Sequence, residues 1–74
     1  MTAMGGPVDL ELKGEYIELD NLLKNAGIAS SGGEAGQFIR SGSVKVNGET
    51  ETRVRRKLRR GDSVESGGLR INIV

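Results

Sequence analysis

Apolar residues recur along this chain with two different periods, and the changes of period mark its elements. Val8-Asp9-Leu10-Glu11-Leu12 alternates apolar with acidic residues, the period-two signature of a half-buried strand. Tyr16-Ile17-Glu18-Leu19 repeats the alternation less cleanly, which predicts a first strand region with Lys13-Gly14 as its turn. Leu19, Leu22, Leu23 and Ala26 then fall at i, i+3, i+4 and i+7, one face of a helix of about two turns, with Gly27 as its left-handed stop and Ile28 as the hydrophobic partner of that stop. Ser31-Gly32-Gly33-Glu34 matches a capping box, in which hydroxyl and carboxylate each satisfy an orphan N–H at a helix start. Ala35, Phe38 and Ile39 give this second short helix its buried stripe, Arg40 suits its C-terminal dipole, and Gly42 ends it. Val44-Lys45-Val46-Asn47-Gly48-Glu49-Thr50-Glu51 predicts a hairpin, because Asn-Gly accepts the two positive φ angles of a type I′ turn. A last hairpin runs from Ser63-Val64-Glu65 through Ser66-Gly67-Gly68 into Leu69–Val74, where Leu69, Ile71 and Ile73 share a face.

These elements predict an α+β fold: two short helices packed on one side of a small antiparallel sheet of hairpins that pairs the two chain ends. Residues 1–7 are small, Gly-rich and poor in apolar side chains, a flexible N-terminus by composition. Residues 8–74 are read as one domain, near the lower size limit for a core without staples. The sequence has no Cys and no His, so disulfides and thiolate or imidazole metal sites are excluded by inventory. Nothing approaches the ~20 continuous apolar residues of a membrane span, and no signal-peptide pattern opens the chain. The expectation is a cytoplasmic monomer with no cofactor, no metal, no membrane contact and no small-molecule substrate.

Charge changes the picture, because the formal net charge of +1 averages over a strong separation. Residues 1–20 carry Asp9, Glu11, Glu15, Glu18 and Asp20 against Lys13 alone. Residues 37–60 carry Arg40, Lys45, Arg53, Arg55, Arg56, Lys57, Arg59 and Arg60 against Glu49 and Glu51. Such asymmetry points to a polyanion met on one side. Six of the eight residues from Arg53 to Arg60 are cationic, and the other two, Val54 and Leu58, are apolar. A generic basic stretch is more often a solvated loop; this one lies between a tight hairpin and the turn Gly61-Asp62 and has two apolar anchors, so its charge is held in shape.

No catalytic residue is assigned, since the chain offers neither His nor Cys and no Ser with a base placed by sequence. Glu49 and Glu51, two apart on a strand, read as cross-strand charge partners of Lys45 on a solvated face rather than as an acid-base pair. Gly32-Gly33-Glu34-Ala35-Gly36 lacks the lysine and the spacing of a nucleotide loop. With no Trp, one Tyr and one Phe, and Phe38 needed in the core, there is no row of aromatics for stacking single-stranded bases. No helix is long and basic enough to read a major groove. Recognition through phosphates and shape remains, which suits structured RNA.

The segments Leu19-Asp20-x-x-Leu23, Gly27-Ile28-Ala29-Ser30-Ser31, Ala35, Ile39-Arg40-Ser41-Gly42-Ser43-Val44-Lys45-Val46-Asn47-Gly48 and Gly61-Asp62-Ser63-Val64 resemble the S-four RNA-binding domain. The small stand-alone YbcJ-type bacterial proteins share further features: Glu18-Leu19-x-x-Leu22-Leu23-Lys24, Glu51-Thr52-Arg53-x-Arg55, and a similar length with a terminal strand. The resemblance implies an RNA surface built from the second helix, the hairpin and the loop beyond it. Carried over, it makes Lys45, Asn47, Gly48, Arg53, Arg55, Arg56 and Lys57 the RNA-binding candidates, with Lys24, Arg40, Arg59 and Arg60 secondary. The chain departs from the pattern at Gly32 and Gly36, where many members are basic, and at Glu18, where longer members often have Arg; the helix face is thus poor in charge.

The function expected is a non-enzymatic module that contacts phosphates of structured RNA, ribosomal or tRNA-like, through its basic edge. The alternative is a protein-interaction adaptor, gripping an acidic partner with the same edge or adding its C-terminal strand to a partner's sheet.

Overall fold

The structure, a computed structural model, describes residues 7–74. The expected flexible N-terminus at 1–7 therefore lies, except for Pro7, outside the described residues. In chain order the elements are β1 (Val8–Leu10), β2 (Ile17–Glu18), α1 (Leu19–Asn25), α2 (Gly32–Arg40), β3 (Val44–Val46), β4 (Glu49–Thr50), β5 (Lys57–Leu58), β6 (Ser63–Ser66) and β7 (Leu69–Ile73). Two helices pack beside a five-stranded sheet of order β1-β7-β6-β3-β4, and β2 pairs with β5 as a separate two-stranded ribbon.

Both Gly-stopped helices form where the apolar spacing puts them. Leu19, Leu22 and Leu23 are buried on α1, and Gly27 closes it at φ 78°. On α2 the Ser31 hydroxyl accepts from the Glu34 N–H at 3.1 Å. The return half of the capping box is shifted by one residue: Glu34 Oε1 accepts from the Ser30 N–H at 2.8 Å and from the Ser30 hydroxyl at 3.2 Å. Gly36 lies buried inside α2, where a Cβ would come 3.3 Å from Arg40 Nη1, the movable end of a flexible side chain. Gly36→Ala is therefore expected to stabilise the domain by about 0.5–1 kcal/mol, read as a gain of about 3–6 °C in Tm, while displacing the Arg40 guanidinium from the helix surface.

Asn47 at φ 52° and Gly48 at φ 85° make the two-residue turn between β3 and β4, and Gly67-Gly68 does the same between β6 and β7. Three expectations are corrected. β1 pairs with β7 in parallel, Val8 opposite Ile71 and Leu10 opposite Ile73; the whole domain separates the two strands, so no hairpin forces them antiparallel. β2 does not fold back on β1 around Lys13-Gly14 but pairs with β5. Finally, β7 is not a free edge: residues 71–73 have β1 on one side and β6 on the other, which removes most of that strand from pairing with a partner's sheet. The core, with Leu22, Ile39, Val44, Leu58, Val64 and Ile71 fully buried, lies between the helices and the sheet. No helix among the described residues is long and apolar enough to cross a membrane.

Candidate nucleic-acid interface

The basic run is fixed to the body of the protein by its backbone as well as by its two apolar residues. The first N–H groups of α1 find no side-chain cap at Glu18. Instead Leu19 N–H donates to the Arg56 carbonyl at 2.9 Å and Asp20 N–H to the Val54 carbonyl at 3.1 Å. A turn closed by Arg56 N–H to Arg53 C=O leads into β5, where Leu58 is fully buried and Val54 packs against the core. The loop thus serves as the N-terminal cap of α1, and its cations project from a backbone hydrogen-bonded to that helix start.

Beneath this segment lies a residue that the sequence reading placed on the surface. Glu51 is buried, its side chain only 8% exposed. It is not a partner of Lys45: the two-residue turn sets Val46 opposite Glu49 and Lys45 opposite Thr50. Glu51 N–H then donates to the Val44 carbonyl at 2.9 Å, which puts Glu51 beside an inward-facing valine. Arg53 donates to its carboxylate from Nε at 3.0 Å and Nη2 at 2.9 Å, and its backbone N–H adds a bond at 2.8 Å. Arg56 Nη1 adds another at 2.8 Å. The two guanidiniums hold the Glu51 carboxyl well below the usual carboxylate range, against the opposing effect of burial. Glu51 fixes both arginines without using them up, since the Arg53 side chain remains 72% exposed and that of Arg56 31% exposed.

A second polar cluster ties the hairpin to the following turn. Asn47 Nδ2 donates to Asp62 Oδ1 at 3.1 Å and Asn47 Oδ1 accepts from the Ser63 N–H at 2.9 Å. Asp62 Oδ2 accepts from the Arg59 N–H at 2.8 Å. Burial pushes the Asp62 carboxyl up, but these bonds and the nearby Arg56 and Arg59 charges outweigh it, so its pKa is lowered overall. Asn47 therefore holds the hairpin and the Gly61-Asp62 turn together, its side-chain amide already bonded at both ends.

The other predicted residues fall into two groups. Lys45, Arg55, Arg59, Lys24 and Arg40 are exposed, and Gly48 is exposed at the hairpin tip. Lys57 and Arg60 are exposed but engaged: Lys57 Nζ lies 4.9 Å from the centre of the Tyr16 ring, and the Arg60 guanidinium donates to the Leu12 carbonyl at 2.7 Å and the Gly14 carbonyl at 3.1 Å. Sequence reasoning missed Glu51, Asp62 and Tyr16. The signal for Glu51 was present in the turn length, because a two-residue Asn-Gly turn fixes the register of every pair after it.

Comparison with known proteins identifies the family and the fold. The S4 domain family, the S-four family of the sequence resemblance, matches residues 10–74. YbcJ of Escherichia coli (strain K12), whose name assigns it provisionally to RNA binding, is 40% identical over 62 residues, 84% of this chain and 89% of that protein. RlbA of Bacillus subtilis (strain 168), named provisionally for ribosome maturation, is 40% identical over 66 residues, 89% of this chain and 90% of that protein. Neither name describes an enzyme. The solution structure of E. coli YbcJ, described as revealing an αL motif involved in RNA binding, aligns with a TM-score of 0.68 at 38% identity, covering 100% of this chain and 91% of that one. Family match, relatives and structure agree, and the chain belongs to the S4 domain family.

Proposed function

We propose that this protein is a non-enzymatic RNA-binding module that docks the phosphates of structured ribosomal RNA along the edge from Lys45 to Arg59. The observation that carries this reading is the fixed basic segment: exposed Arg55 and Arg59 on a backbone that caps α1, flanked by Arg53 and Arg56 oriented on a buried carboxylate. Guanidiniums held in place lose less freedom when they meet phosphate oxygens, and their planar fork suits bidentate contact. Arg55 and Arg59 make the phosphate contacts together with Lys45, the outer side of Arg53 and, at the rim, Lys57. Asn47, Arg56 and Arg60 position backbone and side chains more than they touch RNA, and Gly48 offers only its N–H. The ribosomal assignment rests on the name of the B. subtilis relative.

If about five phosphates are neutralised, log affinity against log salt should have a slope of roughly −3.5 to −4.5. Arg55→Glu with Arg59→Glu is expected to weaken binding of a ribosomal RNA hairpin on the order of 100-fold and to reduce the slope by roughly 1.5–2. Fluorescence anisotropy at several salt concentrations measures both. Unchanged affinity and slope in the double variant would show that the edge is not the docking surface.

A further inference from the structure

The loop between β1 and β2 walls a cleft of about 360 Å³ that the phosphate edge does not use. Buried Leu12 and half-buried Leu10 and Ile17 supply its apolar lining, and exposed Glu11, Tyr16 and Asn25 its polar and aromatic rim. The basic segment builds this cleft twice over. Arg60 pins the loop through the Leu12 and Gly14 carbonyls, and Lys57 places its ammonium 4.9 Å from the Tyr16 ring centre. Tyr16 as a whole residue is 42% exposed despite these contacts.

We propose that this cleft takes one unpaired nucleobase of the bound RNA, stacked on Tyr16, with Lys57 meeting the phosphate of the same nucleotide and Glu11 and Asn25 reading the base edge. The inference rests on the RNA-binding reading and adds a base-selective site to it. An exposed aromatic ring carrying a cation, beside a cleft in the volume range of small-ligand sites, about 300–1,000 Å³, is the arrangement that recognises splayed-out bases in RNA. Lys57 belongs to the basic segment and also touches the ring, so a strand whose phosphates follow that segment passes the mouth of the cleft. The rim chemistry favours guanine: a carboxylate is acceptor-only and matches the adjacent N1–H and N2–H₂ donors of that base, and the Asn25 amide can both donate and accept. A free nucleoside triphosphate is a poorer occupant, because among the described residues Lys13 is the one cation that lines the cleft itself, and Glu11 opposes a polyphosphate.

Tyr16 is the single tyrosine of a chain without tryptophan, so its ring signals report this site alone. Two measurements test the proposal. The first compares a ribosomal RNA hairpin carrying one bulged guanosine with the same hairpin carrying an abasic bulge. The guanosine form should bind on the order of 10-fold tighter. Tyr16→Ala should abolish that preference, Tyr16→Phe should keep most of it, and Glu11→Gln should reduce the guanosine-over-adenosine ratio, all with the salt slope unchanged. The second titrates guanosine 5′-monophosphate against the protein alone and follows the Tyr16 ring protons by NMR, where saturable upfield shifts are expected. Equal affinity for both hairpins, with normal salt dependence, would overturn the cleft and leave the phosphate edge standing. Failure of any RNA to bind would overturn the phosphate edge and the cleft's role in RNA binding together, whatever the nucleotide does to the Tyr16 signals. Unshifted Tyr16 signals with no preference between hairpins would end the proposal.

Discussion

Leu58→Ala is expected to destabilise the domain by about 3 kcal/mol. Leu58 is fully buried, and truncating such a leucine loses its transfer free energy and leaves a cavity that neighbours fill only in part, typically a loss of about 2–5 kcal/mol. A chain of 74 residues has a total stability of only about 4–11 kcal/mol, so a midpoint drop of more than about 10 °C should be seen by circular dichroism. The loss should also be local before it is global. β5 has two residues, paired to β2 as Ile17 with Leu58 and Glu18 with Lys57, and Leu58 is its buried anchor. Once loosened, the segment no longer presents the Arg56 and Val54 carbonyls to α1, and the amides of Leu19 and Asp20 should exchange with solvent faster than the rest of the helix. RNA affinity should fall although no charge has been removed. A loss under about 1 kcal/mol, or unchanged affinity, would show that the basic segment is not held by this anchor.

Glu51→Gln is expected to cost about 1–2 kcal/mol at neutral pH and to remove much of the protein's acid sensitivity. The carboxylate accepts four hydrogen bonds from two arginines, and an amide of the same shape can accept through one oxygen only and brings two donors to face guanidinium donors. The pH dependence follows from linkage. The folded pKa lies below the ordinary value of 4.5, so between the two values the unfolded chain binds more protons, and stability rises with pH there. The contribution of Glu51 is thus complete above about pH 5 and lost as pH falls below about 4 toward the folded pKa. Asp62 is depressed in the same direction and will leave a smaller residual slope in the variant. Thermal unfolding from pH 7 to pH 2 should show wild type and Glu51→Gln converging as the pH falls. Parallel curves would mean that Glu51 does not titrate with folding. The variant also separates two consequences for RNA: it adds one net positive charge near the edge but releases Arg53 and Arg56 from their fixed positions. If orientation governs binding, affinity falls despite the added charge.

Much of this architecture was legible in local chemistry. Period and punctuation identified both helices, because Leu19, Leu22 and Leu23 have one buried face to serve and Gly27 and Gly42 adopt the positive φ angles that end helices. Asn47-Gly48 specified its turn because few pairs accept φ of 52° and 85° in succession. Even the inward direction of Glu51 was implicit in that turn, as register counts from it, yet the expectation that a glutamate faces water prevailed over the register. The parallel pairing of β1 with β7 and the pairing of β2 with β5 were not legible, since short strands of two or three residues carry too little pattern to choose partners across the chain.

The site divides in the same way. Sequence by itself determined the inventory: an abundance of cations between Lys45 and Arg60, two apolar residues among them, no thiol or imidazole, and a family resemblance resting on the hairpin and its flanking helix. Only the tertiary structure decided what each cation does, which is why Arg55 and Arg59 stand exposed, Arg53 and Arg56 share a buried carboxylate, Arg60 holds a loop and Lys57 lies on an aromatic ring. The reason is physical: charge is a property of the residue, whereas its availability depends on which acceptors and rings the fold brings within about 3–6 Å of it, and those come from positions distant in sequence.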